Sequence, residues 1–218
     1  MELFLDTANL DEIKEIKQWG ITTGLTTNQK IFSREMGCNF KERVREIVAM
    51  IDGPVSIEAP ANNTEEIMKA AREYATWSKN IVIKVPMLPN GDGIRAVKQL
   101  RKEGMMTNMT ALMSVNQVIL STLCGSTYAS IFFNRVRDNG EDVEKIIQES
   151  RALIDNSRLP TKIIVGSIRK PQDVAQALFA GAHIVTVPYK ILTQMPYHKK
   201  TIETLLTPRL MYLWDGMR

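Results

Sequence analysis

Asn80-Ile-Val-Ile-Lys-Val-Pro-Met87 is an apolar run interrupted by one cation. Val, Ile and Pro around Lys84 describe a strand of a parallel sheet covered on both faces. Such surroundings disfavour a charged ammonium, and a neutral lysine amine can attack a carbonyl to form a Schiff base. The competing reading is a lysine at a frayed strand end, its stem buried and its head in water. The rest of the chain has to decide between them.

Outward from this strand one unit recurs: a short apolar run, then an amphipathic helical stretch. Leu3-Phe4-Leu5 precedes a helix over Asn9–Trp19, and Gly24–Thr27 is followed by a loop and a helix over Phe40–Ile51. Val55–Glu58 leads to a helix beginning at Thr64, and Ile81–Val85 to one over Gly93–Glu103. Met105–Thr110, Thr127–Phe133, Lys162–Val165 and Ile184–Val187 complete eight strands, with helices over Ser114–Cys124, Glu141–Ile154 and Gln172–Phe179 between them. Strict βα alternation implies parallel strands with right-handed crossovers. Eight such units in 218 residues predict an α/β fold of the (β/α)8 TIM-barrel kind in a single domain, residues 1–218. The stretch from Thr201 to Arg218 is expected as an extra helical tail, apolar at Leu205, Leu206, Leu210, Leu213 and Trp214, packing on a barrel end or a neighbouring subunit.

Composition narrows the function classes. No glycine-rich dinucleotide fingerprint follows the first strand and no phosphate-binding Walker loop occurs, so no cofactor is expected. Cys38 and Cys124 form no disulfide framework, and His183 and His198 are too isolated for a metal site. The formal charge of +4 comes without basic clusters interleaved with aromatics, which argues against nucleic acid and suits anionic small molecules. Neither a signal peptide nor an apolar run of membrane-spanning length is present, so a cytoplasmic protein that does not engage membranes is expected.

A barrel of this kind carries its chemistry at the C-terminal strand ends. There the sequence places Asp6 after the first strand, Glu58 after the third, Lys84 near the end of the fourth, and Asn108 with Thr110 on the fifth. Arg135 follows the sixth strand, and Ser167 with Arg169 the seventh. Asp6 alone would be a helix cap, and each arginine alone a surface residue. Together, two acids, a strand lysine and a hydroxyl supply what a Schiff-base reaction needs: an amine, and groups that move protons while a carbinolamine loses water. Arg135 and Arg169 with Ser167 match the oxygens of a phosphate.

These residues resemble a known family. Leu5-Asp-Thr-Ala-Asn-Leu10, Thr26-Thr-Asn28, Val82-Ile-Lys-Val-Pro-Met87, Asn134-Arg135, Gly166-Ser-Ile-Arg169 and Thr186-Val-Pro188 are similar to segments of the small class I transaldolases and the related fructose-6-phosphate aldolases, over nearly the whole chain. The resemblance implies that Lys84 is the Schiff-base lysine and Asp6 the base that opens the carbon–carbon bond. It sets Glu58 and Thr110 around a catalytic water. Asn28, Asn108 and Ser130 fall where the family holds the dihydroxyacetone unit, with Thr26 and Phe132 in the substrate-binding set. Arg135, Ser167 and Arg169 fall where it holds the phosphate. Sugar phosphates are the implied substrates, in pentose phosphate chemistry, and small members assemble as homo-pentamers or homo-decamers by exchanging C-terminal helices.

Two positions separate the branches. The aldolases have glutamine and tyrosine where this chain has Glu58 and Phe132, whereas transaldolases carry glutamate and phenylalanine. A phenylalanine cannot protonate the enamine, which then survives until an aldehyde acceptor arrives. The expected activity is transfer of dihydroxyacetone from a ketose phosphate to an aldose phosphate. The alternatives are release of free dihydroxyacetone and transfer from a modified sugar, sulfonated or longer-chain. Departures from the family pattern bear on that last choice: Gln29-Lys30 after Asn28, Ala59-Pro60 after Glu58, Met109 between Asn108 and Thr110, and Ile131 where many members have proline. Phe132→Tyr is expected to raise the release of dihydroxyacetone from fructose 6-phosphate supplied without acceptor; an unchanged rate removes the basis of the branch assignment.

Overall fold

The alternating runs close, in the computed structural model of the chain, into a barrel of eight parallel strands in sequence order. The structure describes residues 1–35, 37, 39–60 and 62–205. The strands are β1 (Glu2–Asp6), β2 (Gly24–Thr26), β3 (Val55–Glu58), β4 (Ile81–Pro86), β5 (Thr107–Leu112), β6 (Tyr128–Phe132), β7 (Lys162–Gly166) and β8 (Ile184–Pro188). Around them run α1 (Leu10–Trp19), α2 (Gln29–Phe32), α3 (Phe40–Met50), α4 (Thr64–Ala75), α5 (Asp92–Lys102), α6 (Val115–Cys124), α7 (Phe133–Asp138), α8 (Val143–Asn156), α9 (Pro171–Phe179), α10 (Tyr189–Leu192) and α11 (Lys199–Leu205). β1 pairs β8 in parallel from Glu2↔Ile184 to Asp6↔Pro188, which closes the ring.

Side chains alternate sides along a strand, so each strand serves two cores. Outward, Leu5, Leu25, Ile57, Ile83, Ile131, Val165 and Val185 pack against helix residues such as Ile13, Ile47, Ile67, Val97 and Leu100. Inward, Phe4, Val82, Tyr128, Ile164 and Ile184 form a separate apolar cluster, with Phe4 and Tyr128 edge-to-face at 6.2 Å between ring centres. Gly24 is required by this plug, since a Cβ there would stand 2.7 Å from the Phe4 ring.

Several boundaries differ from the sequence reading. β5 begins at Thr107 rather than Met105 and continues past Thr110 through a register shift between Met109 and Leu112, where Ala111 adopts φ 61°. α7 stands between β6 and α8, where one helix was expected. It is six residues long, too short to display a hydrophobic period of its own. α8 starts at Val143, because the Asp142 carboxylate accepts from the N–H of Lys145 and caps it there. Of the expected apolar tail, Leu205 is exposed at the end of α11, while Leu206, Leu210, Leu213 and Trp214 lie outside the described residues, as does Cys38.

α5 begins hard against the end of β4: a Cβ on Gly93 would lie 2.2 Å from the Pro86 carbonyl oxygen. Gly93→Ala is expected to lower unfolding free energy by about 2 kcal/mol through overpacking. Urea denaturation reads this directly, and an unchanged midpoint would contradict the close approach.

Candidate active site

The period-two logic that builds the apolar plug also builds the site. Two residues beyond Phe4, Val82, Tyr128, Ile164 and Ile184 on the same strands stand Asp6, Lys84, Ser130, Gly166 and Thr186, and all five line one cavity of about 490 Å³. The cavity opens at the C-terminal strand ends. Its floor is hydrocarbon and its walls are polar.

Lys84 is 6% exposed, so the frayed-end reading does not hold. Its Nζ donates to the Thr27 carbonyl at 3.0 Å and lies 3.7 Å from Glu58 Oε2. The strand register explains the neighbour: Glu58 pairs with Lys84 across β3 and β4, and Lys84 with Asn108 across β4 and β5. Carboxylate, amine and amide are therefore neighbours in register on three adjacent strands.

Asp6 faces the same cavity from β1. Burial pushes its carboxyl above the ordinary carboxylate range, against the pull of Lys84, the Thr26 hydroxyl and Arg34. Thr26 Oγ1 donates to Asp6 Oδ1 at 2.7 Å and lies 2.6 Å from Thr186 Oγ1. A threonine hydroxyl has one proton, so with Thr26 donating to Asp6, Thr186 donates to Thr26. The result is an oriented hydroxyl relay ending on a carboxyl poised to exchange a proton.

The remaining expected residues divide into those facing the cavity and those set back from it. Asn28, Glu58, Thr110, Phe132, Arg135 and Ser167 line it. Asn28 Oδ1 is engaged by the N–H of Ile31 at 2.9 Å, capping α2 and leaving its amide nitrogen as the available donor. Thr110 Oγ1 is buried with no hydrogen-bond partner among the described residues. Asn108 is fully buried and not part of the lining, its Nδ2 donating to Ser56 Oγ at 3.1 Å and its Oδ1 unpartnered among the described residues. Arg169 is not part of the lining. Its guanidinium pairs with both oxygens of Asp138 at 2.7 and 2.5 Å, leaving Arg135 as the guanidinium on the cavity wall.

The structure adds lining residues that sequence reasoning did not single out for a site role. Thr186 is one; its sequence signals were a polar residue in the last strand and its place in the family-like run Thr186-Val-Pro188. Ala111 is another, placed by the β5 irregularity. Ala111 and Ser167 both take φ 61°, a conformation costly to residues with a Cβ and common at functional sites. Lys30 and Gln29, the departures after Asn28, also line the cavity. His183 accepts from the N–H of Ile163 at 3.0 Å, and Cys124 is a buried free thiol raised by desolvation. Among the described residues, no group of three or more His, Cys, Asp or Glu side chains is placed to hold a metal, and no helix is long and apolar enough to cross a membrane.

Comparison with known proteins agrees with this geometry. The family described as Transaldolase/Fructose-6-phosphate aldolase matches residues 3–212. A probable transaldolase of Carboxydothermus hydrogenoformans is 44% identical over 218 residues, covering the whole of both chains. One from Alkaliphilus metalliredigens is 39% identical over 217 residues, covering 100% of this chain and 99% of its own. Among solved structures, a thiamine phosphate pyrophosphorylase from Pyrococcus furiosus superposes with a TM-score of 0.60 at 10% identity, over 94% of this chain and 97% of its own, a likeness of fold alone.

Because folding raises the affinity of the Asp6 carboxyl for its proton, keeping it ionised costs stability. The cost is absent below the carboxyl's unfolded range and grows as pH rises through its folded range. Asp6→Asn, which can keep the Thr26 hydrogen bond, is therefore expected to melt higher than the parent at pH 7, with the gap narrowing toward pH 4. A gap that widens on acidification would refute the assigned direction.

Proposed function

Because this chain belongs to the transaldolase/fructose-6-phosphate aldolase family, we propose that it transfers a dihydroxyacetone unit from a ketose phosphate to an aldose phosphate through a Schiff base on Lys84. The amine adds to the donor's C2 carbonyl, and the carbinolamine loses water with Glu58 and Thr110 relaying protons. Asp6 takes the proton from the C4 hydroxyl as the C3–C4 bond breaks. The electrons of that bond pass into the iminium, leaving an enamine on Lys84 and releasing an aldose phosphate. An incoming aldehyde is attacked by the enamine carbon, Asp6 returns the proton to the new hydroxyl, and water frees the product ketose.

The observation that carries this reading is the Lys84 Nζ, buried and 3.7 Å from Glu58 Oε2, on the same cavity as Asp6, whose carboxyl desolvation shifts above the ordinary carboxylate range. Phe132 on the lining offers no hydroxyl to protonate the enamine, which favours transfer over release. Arg135 supplies the cation for the substrate's phosphate, with Ser167 beside it. The proposed reaction calls on no cofactor.

Borohydride reduction in the presence of fructose 6-phosphate should add the mass of the reduced dihydroxyacetone or donor adduct to the parent chain. Lys84→Met should abolish the adduct and lower turnover by about a thousandfold or more. An adduct that persists in the variant places the nucleophile elsewhere. Steady formation of dihydroxyacetone without an acceptor would replace transfer by aldol cleavage.

A further inference from the structure

The turn between β7 and α9 carries Ser167 to the cavity in its left-handed conformation, which something must hold. The Ser167 carbonyl accepts twice from Asn134, from the backbone N–H at 3.3 Å and from Nδ2 at 2.8 Å. Asn134 Nδ2 also donates to Asp173 Oδ2 at 2.7 Å. The same oxygen accepts the N–H of Arg169 at 3.0 Å and of Lys170 at 3.2 Å, while Oδ1 accepts from Arg137 Nη1 at 3.2 Å. Asp173 is 0% exposed. A residue that merely capped α9 would need only the N–H groups of its own first turn. This carboxylate reaches across to α7, the helix that carries Arg135.

The geometry points to Asp173 as a positioning residue for anion recognition. Through Asn134 and the N–H groups of Arg169 and Lys170 it ties the Ser167 turn to α7, so that Ser167 and Arg135 meet an oxyanion of the phosphate class as one preformed unit. With Arg169 committed to Asp138, this joint sets the geometry of the guanidinium on the cavity wall. The inference rests on reading that wall as the phosphate end of the substrate, and it concerns binding rather than the chemistry at Lys84.

Inorganic phosphate, titrated into the full chain by calorimetry, tests it apart from turnover. Asp173→Ala should weaken phosphate at least about tenfold, as expected when a charge-assisted network is cut. Asp173→Asn, which keeps an oxygen for the two turn N–H groups, should restore most of that affinity. Arg137→Met loses the Oδ1 contact together with the Glu144 ion pair and the guanidinium over the Phe133 ring, but leaves the Oδ2 network to Asn134 and the turn intact; it should lower the melting temperature yet bind phosphate like the parent. In turnover, the loss in Asp173→Ala should appear in KM for fructose 6-phosphate rather than in kcat. Should Asp173→Ala not fold, Asn134→Ala cuts the same link and should show the same weakening. Parent-like phosphate affinity in the folded variant overturns the inference. Equal losses in Arg137→Met and Asp173→Ala overturn it too, as does a parent that binds no phosphate. Failure to trap a borohydride adduct on the parent would sink the transfer mechanism while leaving these phosphate results, and the positioning role, standing.

Discussion

Barrel closure joined to the two-residue period of a strand is the constraint on which the rest of this structure depends. Once β1 pairs β8, inward positions on all strands fall into levels that cannot slip independently, because a one-residue slip would turn every side chain to the other face. The level of Phe4, Val82, Tyr128, Ile164 and Ile184 is hydrocarbon, and the next carries Asp6, Lys84, Ser130, Gly166 and Thr186. An amine resting on an apolar plug has few water partners, so its polar environment is made almost wholly by fixed protein groups. That is the condition under which preset dipoles act most strongly on a reaction.

The two carboxyls on this cavity occupy different settings. Glu58 sits one strand from Lys84 and paired with it in register, while Asp6 stands across the barrel with a threonine relay and a raised affinity for its proton. Environments that differ in this way let one carboxyl serve the amine and the other the carbon–carbon bond. The arrangement has a structural cost. A half-buried carboxyl, two non-glycine residues at φ 61° and a buried hydroxyl at Thr110, unpartnered among the described residues, all lie on the same cavity. Sites that depart from local rules are where function is expected to hold against stability.

Much of this was legible beforehand, for particular reasons. The strands were readable because their outward faces, such as Ile57, Ile83 and Val165, are uniformly apolar under the helices, so each run stands out from the amphipathic stretches around it. The caps Asn9, Asn39, Asn63 and Ser114 are signalled by residue type. The β5 irregularity and α7 were not legible: a left-handed alanine has no residue signature, and six helical residues show no period. Arg169 was expected on the phosphate wall from its place after the seventh strand and from the family resemblance, yet Asp138, thirty-one residues earlier, holds its guanidinium. Asp173 had the look of an ordinary residue in the first turn of a helix.

By itself, then, the sequence determined the βα repeat, the closed count of eight, and which residue types could stand at the strand ends. These follow from local periodicity and turn chemistry, which act over a few residues. Only the tertiary structure decided which of those groups face one another. Lys84 meets the Thr27 carbonyl across fifty-seven positions, Thr26 meets Thr186 across one hundred and sixty, and Asp173 reaches Asn134 across thirty-nine. Such contacts depend on register and ring closure, and no local pattern in the chain encodes them.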